Sequence, residues 1–257
     1  MANYDIYRDA RDRLVALHGE HEKAVADFTW PQFDGAFQWA HDWFDVIADG
    51  ESRTALRIVE EDGAEGAWTF DELRRRSNQV ARWLASHGVG RGDSVLVMLG
   101  NRVELWESML AVMKLGAVIM PTTTALGAVD LPDRLERGGA RFVIADASCT
   151  GKFDGLLDGL TAVSGGGSAE GWLDLADSRD VDDAPVEHPG TTADDRLLLY
   201  FTSGTTSRPK LVEHTQTSYP VGHLSTMYWL GITPGDVHLN ISSPGWAKHA
   251  WSCFFAP

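Results

Sequence analysis

Between residues 94 and 145 the chain repeats one pattern: a short, almost wholly apolar run, an amphipathic stretch, then another apolar run. Runs 94–99, 117–120 and 141–145 are apolar at nearly every position. Strands with no polar side must be covered on both faces, which is the signature of a parallel sheet with helical crossovers. Between the runs, Val103, Trp106, Met109, Leu110 and Met113 share one helical face. The expected fold class is therefore α/β, a parallel-type sheet flanked by helices.

Local signals mark the element ends. Thr69 and Glu72 have the spacing of a capping box, ahead of a helix carrying Leu73, Val80, Trp83 and Leu84 and stopping at Gly88. Asn101 with Glu104 predicts a second box, and Gly116 a second stop. A third helix, 131–137, ends at Gly138-Gly139. Upstream, 54–60 reads as a strand and 68–70 as a short extended piece. Residues 4–27 read as one polar amphipathic helix, and the aromatic residues from Trp30 to Phe44 as a core anchor. His18 and His21, one turn apart, are read as solvated rather than as metal ligands, and no metal site is expected.

Composition excludes several classes of function. Lys and Arg total 22 against 37 Asp and Glu, a formal charge of −15. Such a surface is unsuited to sequence-blind binding of nucleic acid or anionic membranes. No run is apolar and long enough to span a bilayer. Two distant cysteines, Cys149 and Cys253, argue for a reducing, cytoplasmic setting. Much of the negative charge lies between Glu170 and Asp195, with nine acids and one base. Together with the run Ser164-Gly165-Gly166-Gly167-Ser168, this reads as a flexible link followed by a solvated acidic loop.

The segment richest in chemistry is 200–210, Tyr-Phe-Thr-Ser-Gly-Thr-Thr-Ser-Arg-Pro-Lys. It follows an apolar strand, 196–201. Thr202, Ser203, Thr205 and Thr206 supply hydroxyls, Gly204 allows close backbone approach, and Lys210 adds a positive charge. Residues from Leu211 onward read as helical at first, which would put the turn at a helix N-terminus, where anions are favoured. The turn is not a Walker loop, because Pro209 stands at its second glycine position. Nor is there a GxGxxG, since the last glycine of such a pattern after Gly88 and Gly90 is Asp93. On residue chemistry alone, polyphosphate binding and an ordinary hydroxyl-rich turn both remain open.

The same run resembles the phosphate-loop signature of adenylate-forming enzymes, the superfamily of acyl-CoA synthetases, luciferases and peptide-synthetase adenylation domains. Residues 68–73, Trp-Thr-Phe-Asp-Glu-Leu, are similar to its first short motif, and 113–121, ending Gly-Ala-Val-Ile-Met-Pro, to its second. The runs 210–214 and 218–223, and Gly245-Trp246-Ala247-Lys248 before Trp251, are most similar to the medium-chain acyl-CoA synthetase branch. The resemblance implies an ATP-dependent carboxylate–CoA ligase for a medium-chain, branched or aryl acid, using ATP, Mg²⁺ and CoA. It places the β- and γ-phosphates on Thr202, Ser203, Gly204, Thr205, Thr206 and Lys210. Trp246 would line the acyl pocket or be a plain core tryptophan; Lys248 would meet the substrate carboxylate or lie on the surface. His214 and His223 are read as helix-packing residues.

Two departures qualify the resemblance. Ser207 stands where most relatives have glycine, and the later motifs for adenine, ribose, the hinge and the adenylation lysine have no counterpart. The chain is accordingly read as the front half of a larger enzyme, inactive alone, with its catalytic residue outside it. The expected organisation is a helical and aromatic segment at 1–48, a first α/β subdomain at 49–163, a flexible acidic linker at 164–195, and the phosphate-loop segment opening a second similar sheet at 196–257. An enzyme loading a carrier protein, and a non-catalytic nucleotide-binding or interaction half-domain, are the alternatives. Oligomeric state is not readable.

Overall fold

The computed structural model describes residues 2–202 and 208–257. Two helices, α1 (Asn3–Ala16) and α2 (His21–Asp27), open the chain. A turn through Gly19 at φ +81° breaks the single helix expected there. A π-helical turn, Ala40–Phe44, runs into α3 (Asp45–Ala48). The aromatic segment packs as anticipated: Tyr7 lies 4.6 Å from Trp43, Phe33 stacks on Phe37, and Trp39 meets Phe255 edge-on. Trp30 is the exception, 44% exposed with its ring edge-on to Phe28.

Strands β1 (Thr54–Val59) and β2 (Glu65–Thr69) form a separate antiparallel pair. Helix α4 (Phe70–Ser86) follows, and both bonds of the Thr69–Glu72 capping box are present. The main sheet then begins with β3 (Ser94–Met98), continuing through α5 (Val103–Lys114), β4 (Val118–Pro121), α6 (Leu131–Gly138) and β5 (Ala140–Asp146). Beyond these come β6 (Thr161–Gly165), β7 (Leu173–Asp174), β8 (Arg196–Thr202), β9 (Lys210–Thr215), α7 (Leu224–Leu230) and α8 (Ala247–Ala250).

The seven strands lie in the order β7-β6-β5-β3-β4-β8-β9, all parallel except β9. Alternation divides each strand between two cores. Val95, Val97 and Leu99 face α4, α5 and the aromatic segment, while Leu96 and Met98 face α6. Both faces are covered, as all-apolar strands require. Gly139, at φ +62°, closes α6 in the left-handed conformation expected of the Gly138-Gly139 pair.

Five expectations are corrected. Residues 196–215 add β8 and β9 to the existing sheet instead of opening a second one, because β8 pairs with β4 through Ile119 and Leu198. Residues after Lys210 form a strand, not a helix, since Phe201 pairs with Leu211 and Tyr200 with Val212 in an antiparallel hairpin. The presumed flexible link lends Ser164 and Gly165 to β6, paired with Ala145 and Asp146. Its next glycine, Gly166, sits at φ +72°, a left-handed conformation that favours glycine, with the Arg102 guanidinium against it. The acidic stretch is likewise anchored: Leu175 is buried, Arg76 donates to Ser178, and Arg91 pairs with Asp195 at 2.8 Å. Finally, Arg102 and not Asn101 precedes α5, and no side chain caps that helix.

A buried ion pair joins the N-terminal segment to helices α4 and α5. Lys114, with no solvent exposure, donates to Asn78 Oδ1 at 2.7 Å and Ser77 Oγ at 2.9 Å, and meets Asp45 Oδ1 at 2.7 Å. Desolvation outweighs pairing, so the ammonium titrates below an ordinary lysine and Asp45 above an ordinary carboxylate. Removing one partner of such a pair strands the other charge. Asp45→Ala is expected to cost ~3 kcal/mol in urea unfolding, and Asp45→Asn, which keeps an acceptor, clearly less. Equal stability of all three proteins would show that the pair does not hold this junction.

Candidate functional site

Helix α5 carries the chain from β3 to its neighbour β4, and α6 carries it back across β3 to β5, on the opposite face. The direction of winding therefore reverses between β3, whose crossover runs to β4, and β5, whose connection runs the other way to β6. In such sheets the crevice beyond the carboxyl ends of the strands, at the reversal, is where ligands bind. Strand β8 lies beside β4 in the same direction, so three chain exits share one edge: Asn101 after β3, Thr122-Thr123 after β4, and Thr202 at the end of β8.

Of the expected phosphate-binding residues, Ser203, Gly204, Thr205 and Thr206 lie outside the described residues. The two flanking ones are described. Thr202 and Lys210 are direct partners across the β8–β9 hairpin, so its stem sets the lysine opposite the first threonine. Because β9 is a strand, no helix dipole supports an anion from that side. Any phosphate grip here has to come from amides, hydroxyls and cationic side chains.

A second element crosses the same edge. Gly245 sits at φ +93°, and a Cβ there would lie 2.1 Å from Thr123 N and 2.5 Å from Thr122 C. Only glycine can rest on that backbone in that conformation. Two further ties hold the residues that follow. The Tyr219 hydroxyl donates to Ala247 O at 2.6 Å, and the His249 imidazole N–H donates to Asn101 Oδ1 at 3.0 Å. The His249 ring also packs 5.6 Å from that of Trp106. Between these anchors, Trp246 precedes α8 and is 60% exposed. That excludes a plain core tryptophan and leaves a large flat ring facing outward. Lys248 is exposed too, with Nζ donating to Ile241 O at 3.3 Å.

Behind the hairpin lies an aromatic layer. His214, on β9, and His223, just before α7, both make edge contacts with Tyr219, at 4.6 and 4.4 Å. His223 also lies 2.9 Å from Thr226 Oγ1 and stacks near Trp251. Both histidines are thus packing residues, although His214 belongs to a strand. Burial pushes His223 and His249 down to about 4, and His214 below its ordinary value, so all three are neutral at pH 7. His18 packs against Tyr228, with ring centres 5.6 Å apart.

Among the described residues, no three His, Cys, Asp or Glu side chains converge as a metal site, and no helix is long and apolar enough to cross a membrane. Sequence reasoning missed Asn101, Tyr219 and His249 as parts of this edge. Asn101 carried a visible signal, a polar residue three positions after the end of an apolar strand, which the nearby Glu104 made look like a cap. His249 lies 148 residues from its partner and carried none.

The AMP-binding enzyme family matches residues 45–257. The chain is 34% identical over 226 residues to 4-hydroxybutyrate–CoA ligase 1 of Metallosphaera sedula, covering 86% of this chain and 39% of that protein. It is 34% identical over 236 residues to the mitochondrial acyl-coenzyme A synthetase ACSM5 of Homo sapiens, covering 86% and 40%. The structure superposes on the acyl-CoA synthetase of Brucella canis with a TM-score of 0.77 and 25% identity, over 96% of this chain and 45% of that one. The chain thus spans about 40% of the length of these two relatives.

Two expected outcomes follow from the geometry. Gly245→Ala, forced onto the Thr122-Thr123 backbone, should cost at least ~2 kcal/mol in urea unfolding and change the tryptophan fluorescence; a neutral substitution would mean that the contact is not made. His223 and His249 take up protons in the unfolded chain near pH 6.5 but in the folded one only near pH 4. Their contribution is therefore whole above pH 6.5 and lost as pH falls toward 4, by up to ~1.4 kcal/mol per pH unit for each. Thermal unfolding from pH 7 to 4.5 should show this fall, and His249→Gln should flatten it; identical slopes would contradict the assignment. With a family match across residues 45–257, this chain belongs to the AMP-binding enzyme family.

Proposed function

We propose that this chain supplies the triphosphate-binding and acyl-binding side of an ATP-dependent carboxylate–CoA ligase. The observation that carries the reading is the shared edge. The hairpin stem bearing Thr202 and Lys210 leaves β8 next to β4, and the Gly245 element rests on the residues directly after β4. A nucleotide triphosphate and a carboxylic acid held there would be neighbours, as adenylation requires.

In that reaction a carboxylate oxygen attacks the α-phosphorus of ATP and pyrophosphate leaves, giving an acyl-adenylate. The thiol of CoA then attacks the acyl carbon and AMP leaves. The first step is positioning and charge stabilisation at a phosphoryl centre. Thr202, Ser203, Gly204, Thr205 and Thr206 are assigned to the β- and γ-phosphates, and Lys210 to the charge that builds on pyrophosphate. Trp246 is the flat apolar wall for the acid, and exposed Lys248 offers an ammonium to its carboxylate. The apolar wall suits a medium-chain, branched or aryl acid. Mg²⁺, an ion that phosphate oxygens coordinate, would accompany the triphosphate and offset its charge.

Nearby, Val237, Leu239 and Ile241 expose an alternating apolar row on an unpaired segment. An exposed row of this kind ordinarily packs against another element, which supports a catalytic unit larger than these 257 residues. The reducing cytoplasm is its proposed setting, consistent with two free cysteines.

Calorimetric titration with MgATP tests the binding half of this reading. The chain should bind, and Lys210→Ala should weaken binding about 5- to 10-fold, the scale of one charge-assisted contact. Pyrophosphate release with ATP and a panel of aliphatic and aryl acids should be absent from the 257-residue chain alone. Absence of nucleotide binding would overturn the triphosphate assignment, and clear turnover would overturn the division of labour.

A further inference from the structure

Helix α6 ends against the stem of the β8–β9 hairpin and touches both of its strands. The Arg134 guanidinium carbon lies 4.2 Å from the centre of the Phe201 ring, and that of Arg137, one turn on, 5.3 Å from the same ring. Phe201 immediately precedes Thr202. Arg137 also reaches the returning side, where Nη2 donates to Pro209 O at 3.0 Å, next to Lys210. Its Nη1 is held by Asp133 Oδ2 at 3.0 Å, which fixes the plane of the guanidinium. Gly138 lies at the same contact: a Cβ there would fall 2.1 Å from Met120 Cε, so a larger residue would displace the Met120 side chain, and 3.7 Å from Phe201 Cε2, an ordinary contact.

None of this is needed to bury the helix, which Leu131 and Leu135 already accomplish. Instead, two cations from one helix stack on the ring before Thr202, and one of them holds the carbonyl before Lys210. We propose that Arg134 and Arg137 are positioning residues for a polyphosphate ligand: they clamp the hairpin stem so that Thr202 and Lys210 keep the separation the anion requires. The clamp rests on the triphosphate reading given above and adds to it a pair of residues on a different element. Arginine suits the task because its planar guanidinium stacks on an aromatic face while its edge still donates hydrogen bonds. In a chain of net charge −15, the two cations also offset the negative field around the stem.

Inorganic tripolyphosphate is the probe, since it needs no adenine pocket. Calorimetric titrations of the 257-residue chain would compare the wild type with Arg134→Gln, Arg137→Gln and Arg137→Lys, each checked by thermal unfolding. The wild type should bind. Each Gln variant should bind about 5- to 10-fold more weakly, with Tm lowered by no more than about 3 °C. Arg137→Lys, which retains a charged donor, should recover part of the loss; a purely structural role would not link affinity to charge in this way. Should Arg137→Gln not fold, Phe201→Leu removes the stacking face while keeping apolar bulk, and should weaken binding to a similar degree. Equal tripolyphosphate affinity in the wild type and all folded variants would overturn the clamp and leave the triphosphate reading standing. No binding by the wild type would overturn both.

Discussion

Parallel pairing of β3, β4 and β8 obliges the chain to leave all three strands on one side of the sheet, and every feature of the candidate site depends on that. A parallel strand cannot hand the chain to its neighbour through a tight turn, so each exit opens into a crossover or a loop. Because α5 and α6 lie on opposite faces, the chain leaves β3 and β4 toward opposite faces of the sheet. Strand β8 delivers a third exit beside the second. The hairpin stem and the Gly245 element are additions to an edge that the winding of the sheet creates.

Neutral, well-partnered polar groups border the edge that these exits share. His249 holds Asn101, Tyr219 holds the Ala247 carbonyl, and burial keeps His223 and His249 unprotonated at pH 7. Neutral donors can fix backbone geometry without competing for an anionic ligand. The cations near the hairpin stem, Lys210, Arg134 and Arg137, come from two elements close in space but far apart in the chain. That division brings three cations to one hairpin in a strongly acidic protein, while the histidines pack against aromatic rings.

What the sequence made legible was what local chemistry decides. The Thr69–Glu72 box, the apolar runs of β3, β4 and β5, and the left-handed stop at Gly139 each need only a few adjacent residues. Where tertiary pairing decides, the local reading failed. Residues 211–215 have no pronounced period, and pairing with β8 made them a strand. Ser164 and Gly165 looked like a linker until β5 supplied a partner and the Leu173 carbonyl took up the serine hydroxyl. Asn101 does not cap α5, and its side chain instead accepts from a histidine 148 residues away. For the site, the hydroxyl-rich run and the Gly-Trp-x-Lys element were visible as motifs. The α6 arginines were not, because nothing in the sequence shows that residues 134 and 137 lie beside 201 and 209.

The most direct measurement is a crystal structure of the chain grown with a non-hydrolysable acyl-adenylate analogue and pyrophosphate. Density for the pyrophosphate should lie at the carboxyl end of β8 between Thr202 and Lys210, with the acyl group against the Trp246 ring. A ligand bound elsewhere, or residues 203–207 packed against neighbouring side chains with no room for an anion, would contradict the placement of the site.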